Sequence, residues 1–453
     1  MGCIVSSVAC CFCSSAASLC CHCLPPCKSS TSSRIMFSVI LILTTILSTI
    51  ALIPQVRVGL TKIPALCTPF KLGVVSTNIQ SGLDCEAITG FGAVYRLCFA
   101  AAMFYLLFFL LMLCVRSSRD PRAKIQSGFW FFKFLIWIAL IVGAFFIPVE
   151  GFTQAWMVIG MIGGALYILI QLISLIDFAH SWNSAWITRL EDTGEKRYAV
   201  GLVVSTFCFY VLSGVGIGLL YHYYAGAPEC GLNKAMVSLN LIFVVLISVV
   251  SVLPAVRDRL PASGLLQSSL VTCYVIFLTW SAMSNGTVKE CNPTLYLQPF
   301  TNGTVPDDSL QTSFSGQIAV GIVFLVFSVI YSSFRLSSPA ALIKLTCSSS
   351  NENYTMTESG AGPLDSEEKT KQVVWDDEED HVAYVYSLFH FMLLLATLYV
   401  MVMLTNWLRP ENDLKSLVAN SASYWVRLAS SWVCLLLYFW TMIAPILFPD
   451  REF

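Results

Sequence analysis

Ten long apolar stretches constrain the fold of this chain more than any other feature. A helix needs about 20 mostly apolar residues to cross the hydrocarbon core of a bilayer. Because unpaired backbone groups are costly in lipid, each stretch is predicted to be a helix. The sequence therefore predicts an all-α, polytopic membrane protein with about ten transmembrane helices. The stretches lie near 35–56, 92–115, 127–148, 154–186, 198–222, 236–255, 264–284, 316–334, 383–407 and 422–447.

The composition agrees with lipid as the solvent for much of the chain. Of its 453 residues, 56% are hydrophobic and 12% are charged, against roughly 45–50% and about 25% in soluble domains. A net charge of −1 gives no indication of nucleic-acid binding. No Walker A loop, G-x-S-x-G elbow or H-E-x-x-H pair occurs. We therefore expect neither an enzyme nor a resident cofactor or metal.

The distribution of basic residues orients the chain. With a cytosolic N-terminus, the cytosolic segments hold 16 Lys and Arg residues and the outer loops hold 7, as the positive-inside rule requires. Spans one to eight then lie within 34–334, with outer loops 57–91, 223–235 and 285–315, and spans nine and ten lie within 383–447. The remaining segments are a Cys-rich N-terminal segment 1–33, an acidic loop 335–382 and a C-terminal tail 448–453. Low hydrophobicity and high charge predict disorder in the acidic loop.

Two kinds of residue in the outer loops agree with this orientation. Asn285 and Asn302 begin glycosylation sequons. An oxidising compartment favours disulfides among Cys67, Cys85, Cys230 and Cys291. We expect the pairs Cys67–Cys85 and Cys230–Cys291, and free buried thiols are the alternative.

The fourth stretch is unusually long and carries a polar stripe. A 33-residue helix is about 50 Å long, well beyond the roughly 30 Å core. At about 100° per residue, one face of this helix collects polar side chains. Burial against other helices is one interpretation, and a hydrated groove for a lipid headgroup is the other. The residues are Gln171, Ser174, Asp177 and Ser181, joined by His180 and Asn183, with Ser263 and Gln267 on the seventh stretch as further candidates.

Lys133 lies in the third stretch at a predicted depth similar to that of Asp177. Ionisable residues in membrane spans are costly and are functional candidates by default. A Lys133–Asp177 ion pair is one prediction, and snorkelling of the lysine to the interface is the alternative. Two glycine pairs, Gly160/Gly164 and Gly214/Gly218, have the G-x-x-x-G spacing that lets helices approach closely.

The N-terminus holds eight cysteines in its first 27 residues. A reducing cytosol makes a disulfide knot unfavourable, and common zinc modules need two separated C-x-x-C pairs, which this stretch lacks. The remaining interpretations are lipid acylation, by palmitoylation and N-terminal myristoylation, or a packed interfacial helix. The acylation candidates are Gly2, Cys3, Cys10, Cys11, Cys13, Cys20, Cys21 and Cys23.

Sequence stretches along the whole chain resemble the serine incorporator family of eukaryotic membrane proteins. The Cys-rich start is similar to that family as well. The stretches that carry the resemblance are AVYRLCFAAAMFYLL (93–107), SSRDPRAKIQSGFWFFKF (117–134), GAFFIP (143–148), LIDFAHSWN (175–183), SGLLQSS (263–269), LTWSAMSN (278–285), CNP (291–293), SLFHFMLLLATLYVMVMLTNW (387–407), SSWVCLLLYFWTMIAP (430–445) and DREF (450–453).

The resemblance implies a fold and a function. The fold would be two helical bundles linked by a long tilted helix, here 154–186. The function would be ATP-independent, non-selective scrambling of phosphatidylserine, phosphatidylcholine and phosphatidylethanolamine. The alternative is a serine carrier or scaffold that promotes serine incorporation into phosphatidylserine and sphingolipids.

The resemblance also implies partners and locations. Loop 335–382 occupies the position where family members bind clathrin adaptors, and some members restrict retroviruses and form homo-oligomers. The expected locations are the plasma membrane and endomembranes, namely the ER, Golgi and endosomes.

Overall fold

Helices form almost all of the part of the chain that the computed structural model describes. That part comprises residues 30–53, 56, 90–115, 120–147, 151–257, 264–286, 288–292, 316–335, 385–405 and 421–447, and it contains no strand. Twelve α-helices run in the order α1 Ser30–Ala51, α2 Phe91–Leu111, α3 Pro121–Ser127, α4 Trp130–Phe145, α5 Phe152–Thr193, α6 Lys196–Tyr224, α7 Gly231–Val250, α8 Pro254–Arg257, α9 Leu265–Met283, α10 Gly316–Arg335, α11 Tyr386–Leu404 and α12 Ser421–Leu447.

The all-α prediction is confirmed, and each of the ten predicted stretches contains a helix. Within the described residues, eight helices are long and apolar enough to cross a membrane. They are α1, α2, α5, α6, α7, α9, α11 and α12. Helix α10 has 20 residues, and its described apolar segment includes Val320 to Tyr331.

The third predicted span is a continuous helix that is preceded by a short helix at a sharp bend. Helices α3 and α4 meet at an angle of 74°, and Phe129 between them has left-handed backbone dihedrals. Asp120 caps α3 by accepting the backbone N–H of Arg122 at 2.9 Å. The predicted helix over 127–148 therefore begins at Trp130 and ends at Phe145.

The helices form two bundles that share α5. The first bundle contains α1, α2, α4, α10 and α11, and α11 packs most extensively against α2 and α5. The second bundle contains α6, α7, α9 and α12, with α9 at its centre. This is the arrangement predicted from the family resemblance.

Helix α5 is the connection between the bundles. It has 42 residues, which corresponds to about 63 Å at 1.5 Å per residue. It packs against α10 and α11 of the first bundle and against α6, α9 and α12 of the second. The helix is longer than predicted because it continues to Thr193, where Gly194 adopts a left-handed cap.

Glycines allow the close approach of α5 and α11. A Cβ at Gly160 would overlap Met401, and one at Gly163 would overlap Leu398. Small residues serve this purpose in membranes, where close van der Waals contact replaces the hydrophobic effect between helices. A Cβ at Gly214 or Gly218 on α6 would meet no atom within 4 Å. Within the described part of one copy, this second pair therefore takes part in no close helix contact, and a contact between copies stays a prediction.

A disulfide between Cys230 and Cys291 connects the ends of α7 and α9. Cys230 immediately precedes α7, and Cys291 ends the short 3-10 helix Lys289–Cys291 that follows α9. Their Cα atoms are 5.6 Å apart. This is the pairing predicted from their shared location on the outer side, while Cys67 and Cys85 lie outside the described residues.

Candidate functional site

The polar stripe of α5 faces α10, and we call this interface the polar seam. Gln171 and Ser174 are buried, whereas Asp177 and Ser181 are half-buried. Three more groups come from neighbouring helices: Ser328 and Tyr331 from α10 and Tyr274 from α9. The stripe is thus covered by protein in this structure, and its polar groups lie between the two bundles.

Tyr331 closes one end of the polar seam. Its hydroxyl donates to Asp177 Oδ2 at 2.6 Å and lies 3.4 Å from Ser181 Oγ. Its ring packs against Phe178 of α5, with ring centroids 5.4 Å apart. A hydrogen bond and an aromatic contact therefore hold α10 against α5 at this point.

The Tyr167 hydroxyl makes a second polar contact, which lies further along the seam. It lies 3.5 Å from Ser328 Oγ, which is at the outer limit of a hydrogen bond. Between this contact and the Tyr331–Asp177 hydrogen bond lie Gln171 and Ser174, the two most buried members of the stripe. The seam is thus bounded by two tyrosine contacts of unequal strength.

A small cavity lies in the polar seam between these two contacts. Its volume is about 10 Å³, and Gln171, Ser174, Ser328 and Tyr331 contribute to its polar lining. Gln171 Oε1 and Ser174 Oγ are buried with no hydrogen-bond partner among the described residues. A cavity of this size is at the lower limit for a single water molecule. The closed seam therefore carries polar atoms that would gain from hydration.

His180 and Asn183 point to a different helix from the rest of the stripe. His180 Nδ1 lies 3.4 Å from Gln267 Nε2 of α9, and Asn183 packs against Gly264 at the start of that helix. Gln267 itself accepts the Gly264 N–H at 2.7 Å. These residues join α5 to the second bundle, and Ser263 lies outside the described residues.

The predicted Lys133–Asp177 ion pair is wrong. Lys133 is 2% exposed in the core of the first bundle, where its Nζ donates to Gln126 O at 2.7 Å. Asp177 is bound instead by Tyr331. The prediction assumed that helices consecutive in the sequence pack together, but α4 packs against α2 and α5 packs against α11.

Aromatic rings and a buried amide surround Lys133. Its Nζ lies 3.8 Å from the Trp130 ring centroid and 4.6 Å from that of Phe37. Gln126, whose backbone carbonyl accepts from the lysine, also pairs through Oε1 with His390 Nε2 at 2.8 Å. Cation–π contacts of this kind stabilise a desolvated ammonium. Lys133 is therefore part of the packing of the first bundle and not of the polar seam.

The sequence pattern did not lead to a prediction for Tyr331 and Ser328. Both are polar residues on one face of an apolar stretch, three positions apart, and this spacing was the signal available. Gln126 and His390 were not predicted either, because their pairing joins positions 264 residues apart.

Of the other predicted sites, the structure describes Asn285 only. Asn285 is 2% exposed, and its Nδ2, the atom that would carry a glycan, donates to Ser281 O at 2.7 Å. Glycosylation there stays a prediction that this buried placement does not favour. The acylation candidates Gly2, Cys3, Cys10, Cys11, Cys13, Cys20, Cys21 and Cys23, the sequon at Asn302 and the adaptor loop 335–382 lie outside the described residues.

Membrane-length helices in two bundles, with polar groups enclosed at the helix connecting them, define a multi-pass helical membrane protein. The family model described as serine incorporator (Serinc) matches residues 9–451. The chain belongs to the serine incorporator family.

Individual relatives match over nearly their full lengths. The chain is 41% identical to serine incorporator 3 of Mus musculus over 98% of this chain and 97% of that protein. It is 41% identical to serine incorporator 2 of Homo sapiens over 100% of this chain and 98% of that protein. It is 33% identical to serine incorporator 5 of Danio rerio over 99% and 98%, respectively.

Proposed function

We propose that this protein is an ATP-independent, non-selective phospholipid scramblase, and that headgroups cross the membrane along the polar seam between α5 and α10. The observation that carries the proposal is the pair of unpartnered polar atoms, Gln171 Oε1 and Ser174 Oγ, buried in that seam. Phosphatidylserine, phosphatidylcholine and phosphatidylethanolamine are the proposed substrates.

Energetics supports a seam that opens. Leaving a buried polar group unpaired costs about 1–3 kcal/mol, so two such groups make the closed interface less stable than a fully paired one. Separation of α10 from α5 would let water reach both atoms and also Asp177. The closed and hydrated states would then differ by a small free energy, as a gate requires.

The chemistry of the seam suits a headgroup that carries an ammonium or trimethylammonium group, because Asp177 supplies a carboxylate. A charged group at the centre of a bilayer is costly, and this cost makes uncatalysed lipid flip-flop slow. Hydroxyl, amide and carboxylate groups along α5 would substitute for water while the acyl chains stay in lipid. None of these groups recognises one headgroup by a fixed bidentate contact, which supports low selectivity. The lipid moves down its own gradient and needs no ATP.

Reconstitution of the full chain tests the proposal. Liposomes that contain the purified protein and fluorescent phosphatidylcholine, phosphatidylserine or phosphatidylethanolamine are treated with dithionite, which bleaches only the outer leaflet. Scrambling would raise the bleached fraction from about half to nearly all of the label, with and without ATP. Bleaching equal to that of protein-free liposomes would reject the proposal.

A serine carrier or scaffold is the second candidate, because the names of the relatives refer to serine incorporation. Many carriers of small zwitterions use helices broken at the middle of the membrane, whereas α5 is continuous over its whole length. The same liposomes loaded with buffer and given labelled serine would separate the two. Saturable serine uptake without lipid scrambling would favour the carrier.

A further inference from the structure

A large cavity among the described residues lies in the second bundle, away from the polar seam. It is a crevice of about 640 Å³ between α6 and α7, closed at one end by α8 and the start of α9. A volume between about 300 and 1,000 Å³ is typical of sites for small molecules. Its lining includes Tyr210, Ser213, Ile217, Val244, Val249 and Leu253.

The crevice opens toward the surface that faces lipid. Val245 and Val249 are 54% and 58% exposed, and Leu253 at the closed end is 45% exposed. Among the residues that the structure describes, no charged side chain contributes to its lining. An occupant would therefore enter from the bilayer and would be largely apolar.

Two residues of the lining, Tyr210 and Ser248, belong to a cluster of hydroxyl groups beside the crevice. Tyr210 donates to Ser248 Oγ at 2.9 Å and lies 3.1 Å from Ser268 Oγ. Ser268 also lies 3.2 Å from Ser251 Oγ. The cluster therefore joins α6 to α7 and to α9 beside the crevice.

Three hydroxyl groups of the cluster already donate their protons to hydrogen bonds within the protein. The Ser248 hydroxyl donates to Val244 O at 2.8 Å, the Ser251 hydroxyl donates to Ser248 O at 2.9 Å, and the Tyr210 hydroxyl donates to Ser248. Each hydroxyl oxygen has two lone pairs, so Ser248 Oγ, which accepts from Tyr210, keeps one free. The cluster offers acceptors to a ligand and few donors.

This excess of hydrogen-bond acceptors over donors favours some lipid classes over others. A phosphate or carboxylate headgroup presents acceptors and needs donors or cations, which are scarce among the described lining residues. A neutral alcohol presents one hydroxyl donor and matches the free acceptor on Ser248. A rigid apolar body also loses less conformational freedom on binding than a flexible acyl chain.

We infer that the crevice between α6 and α7 is a sterol-binding site, in which the sterol hydroxyl donates to the Ser248 cluster and the ring system packs against the apolar walls. On the predicted orientation this cluster lies toward the cytosolic side, near the end of α7. The site is separate from the polar seam and does not depend on the proposed scrambling.

Gly214 provides a variant that fills the crevice. It belongs to the lining, and a Cβ there would meet no atom within 4 Å. Gly214→Leu should therefore occupy the crevice without disturbing helix packing. Gly218 has equally open surroundings one turn further along α6 but does not line the crevice, so Gly218→Leu is the matched control.

Photolabelling of the full chain in phosphatidylcholine liposomes tests the site. A diazirine-bearing cholesterol analogue should label peptides of α6 and α7 saturably, and unlabelled cholesterol should compete. We expect labelling to fall at least about tenfold in Gly214→Leu and to stay unchanged in Gly218→Leu. Ser248→Ala should weaken competition by cholesterol about fivefold, through loss of the one acceptor. The Ser248→Ala variant also tests the site on its own if the Gly214→Leu variant does not fold.

Three outcomes would overturn the assignment. Equal competition by phosphatidylcholine would show that the crevice holds acyl chains. Equal competition by the 3α-hydroxyl epimer of cholesterol, or full affinity in Ser248→Ala, would show that the hydroxyl cluster does not recognise the sterol. Crosslinks between the α6 helices of two copies, in place of sterol labelling, would make this face an oligomer interface.

Discussion

The hydroxyl of Tyr331 donates a 2.6 Å hydrogen bond to Asp177 Oδ2 and so joins α10 to α5 across 154 residues of sequence. Asp177 is half-buried and belongs to the polar stripe, whereas Tyr331 belongs to a helix of the first bundle. This contact holds the polar seam closed at one end. Its removal should favour the hydrated state.

Tyr331→Phe should therefore accelerate scrambling. The ring contact with Phe178 is kept, and only the hydroxyl is lost. Interhelical hydrogen bonds in membranes contribute on average about 0.6 and at most about 1.7 kcal/mol. This corresponds to a shift of about 3- to 18-fold toward the open seam, measured as the dithionite-accessible rate in liposomes.

Tyr221→Phe is the matched control for this variant. Tyr221 makes a hydroxyl hydrogen bond of 2.7 Å to Ser238, between α6 and α7, away from the polar seam. Its loss should leave the scrambling rate within about twofold of the parent. Equal acceleration by both variants would mean that general loosening, and not the seam, controls lipid passage.

Gln171→Leu should slow scrambling and raise thermal stability. The substitution removes the unpartnered Oε1 and fills nearly the same volume with apolar atoms. Because an unpaired buried polar group costs about 1–3 kcal/mol, the closed seam should gain stability. The melting temperature of the purified protein and the liposome assay report the two effects.

Asn240→Leu should have the opposite effect on stability. Asn240 is fully buried, donates to Thr279 Oγ1 at 2.8 Å and accepts from Trp432 Nε1 at 3.0 Å. A leucine would leave Trp432 Nε1 without its acceptor and would remove the hydrogen bond to Thr279, so the melting temperature should fall. If Gln171→Leu and Asn240→Leu changed stability in the same direction, the presence or absence of hydrogen-bond partners would not explain how the two sites differ.

Lys133→Met should leave scrambling within about twofold of the parent. The lysine is buried among the rings of Trp130 and Phe37, and an apolar side chain of similar length often replaces a buried charge at little cost. Asp177→Asn, tested in parallel, should change the rate because it alters the seam. A loss of scrambling in a well-folded Lys133→Met protein would contradict the placement of the path.

Removal of the Cys230–Cys291 disulfide should lower stability. A double substitution to serine frees the ends of α7 and α9, and loss of a native disulfide typically costs about 2–5 kcal/mol. Cys208 is a free, exposed thiol on α6, so Cys208→Ser should not change the melting temperature. An unchanged melting temperature in the double variant would show that this link is not stabilising.

The positions of the helices could be predicted because burial in lipid imposes a local rule. Apolar runs of membrane length and the excess length of the fourth stretch are properties of neighbouring residues, and each of the ten stretches contains a helix. The break at Phe129 was missed, because its left-handed conformation is not encoded by a glycine or proline at that position.

Only the α5 side of the polar seam could be predicted from the sequence. The stripe on α5 follows from helical periodicity, so Gln171, Ser174 and Asp177 could be identified. Their partners could not, because Tyr331 lies on a helix that is remote in sequence. The same limitation produced the wrong Lys133–Asp177 pair.

Local sequence patterns are enough to establish a multi-pass helical protein with one overlong helix and a polar stripe. Those properties depend on the cost of exposing backbone and charge to lipid, which each segment meets independently. Which helices face one another became visible only in the three-dimensional packing. It placed Lys133 against Trp130 and Gln126, Asp177 against Tyr331, and an open crevice beside Ser248. Packing between helices depends on the shapes of many side chains at once, and no single stretch contains that information.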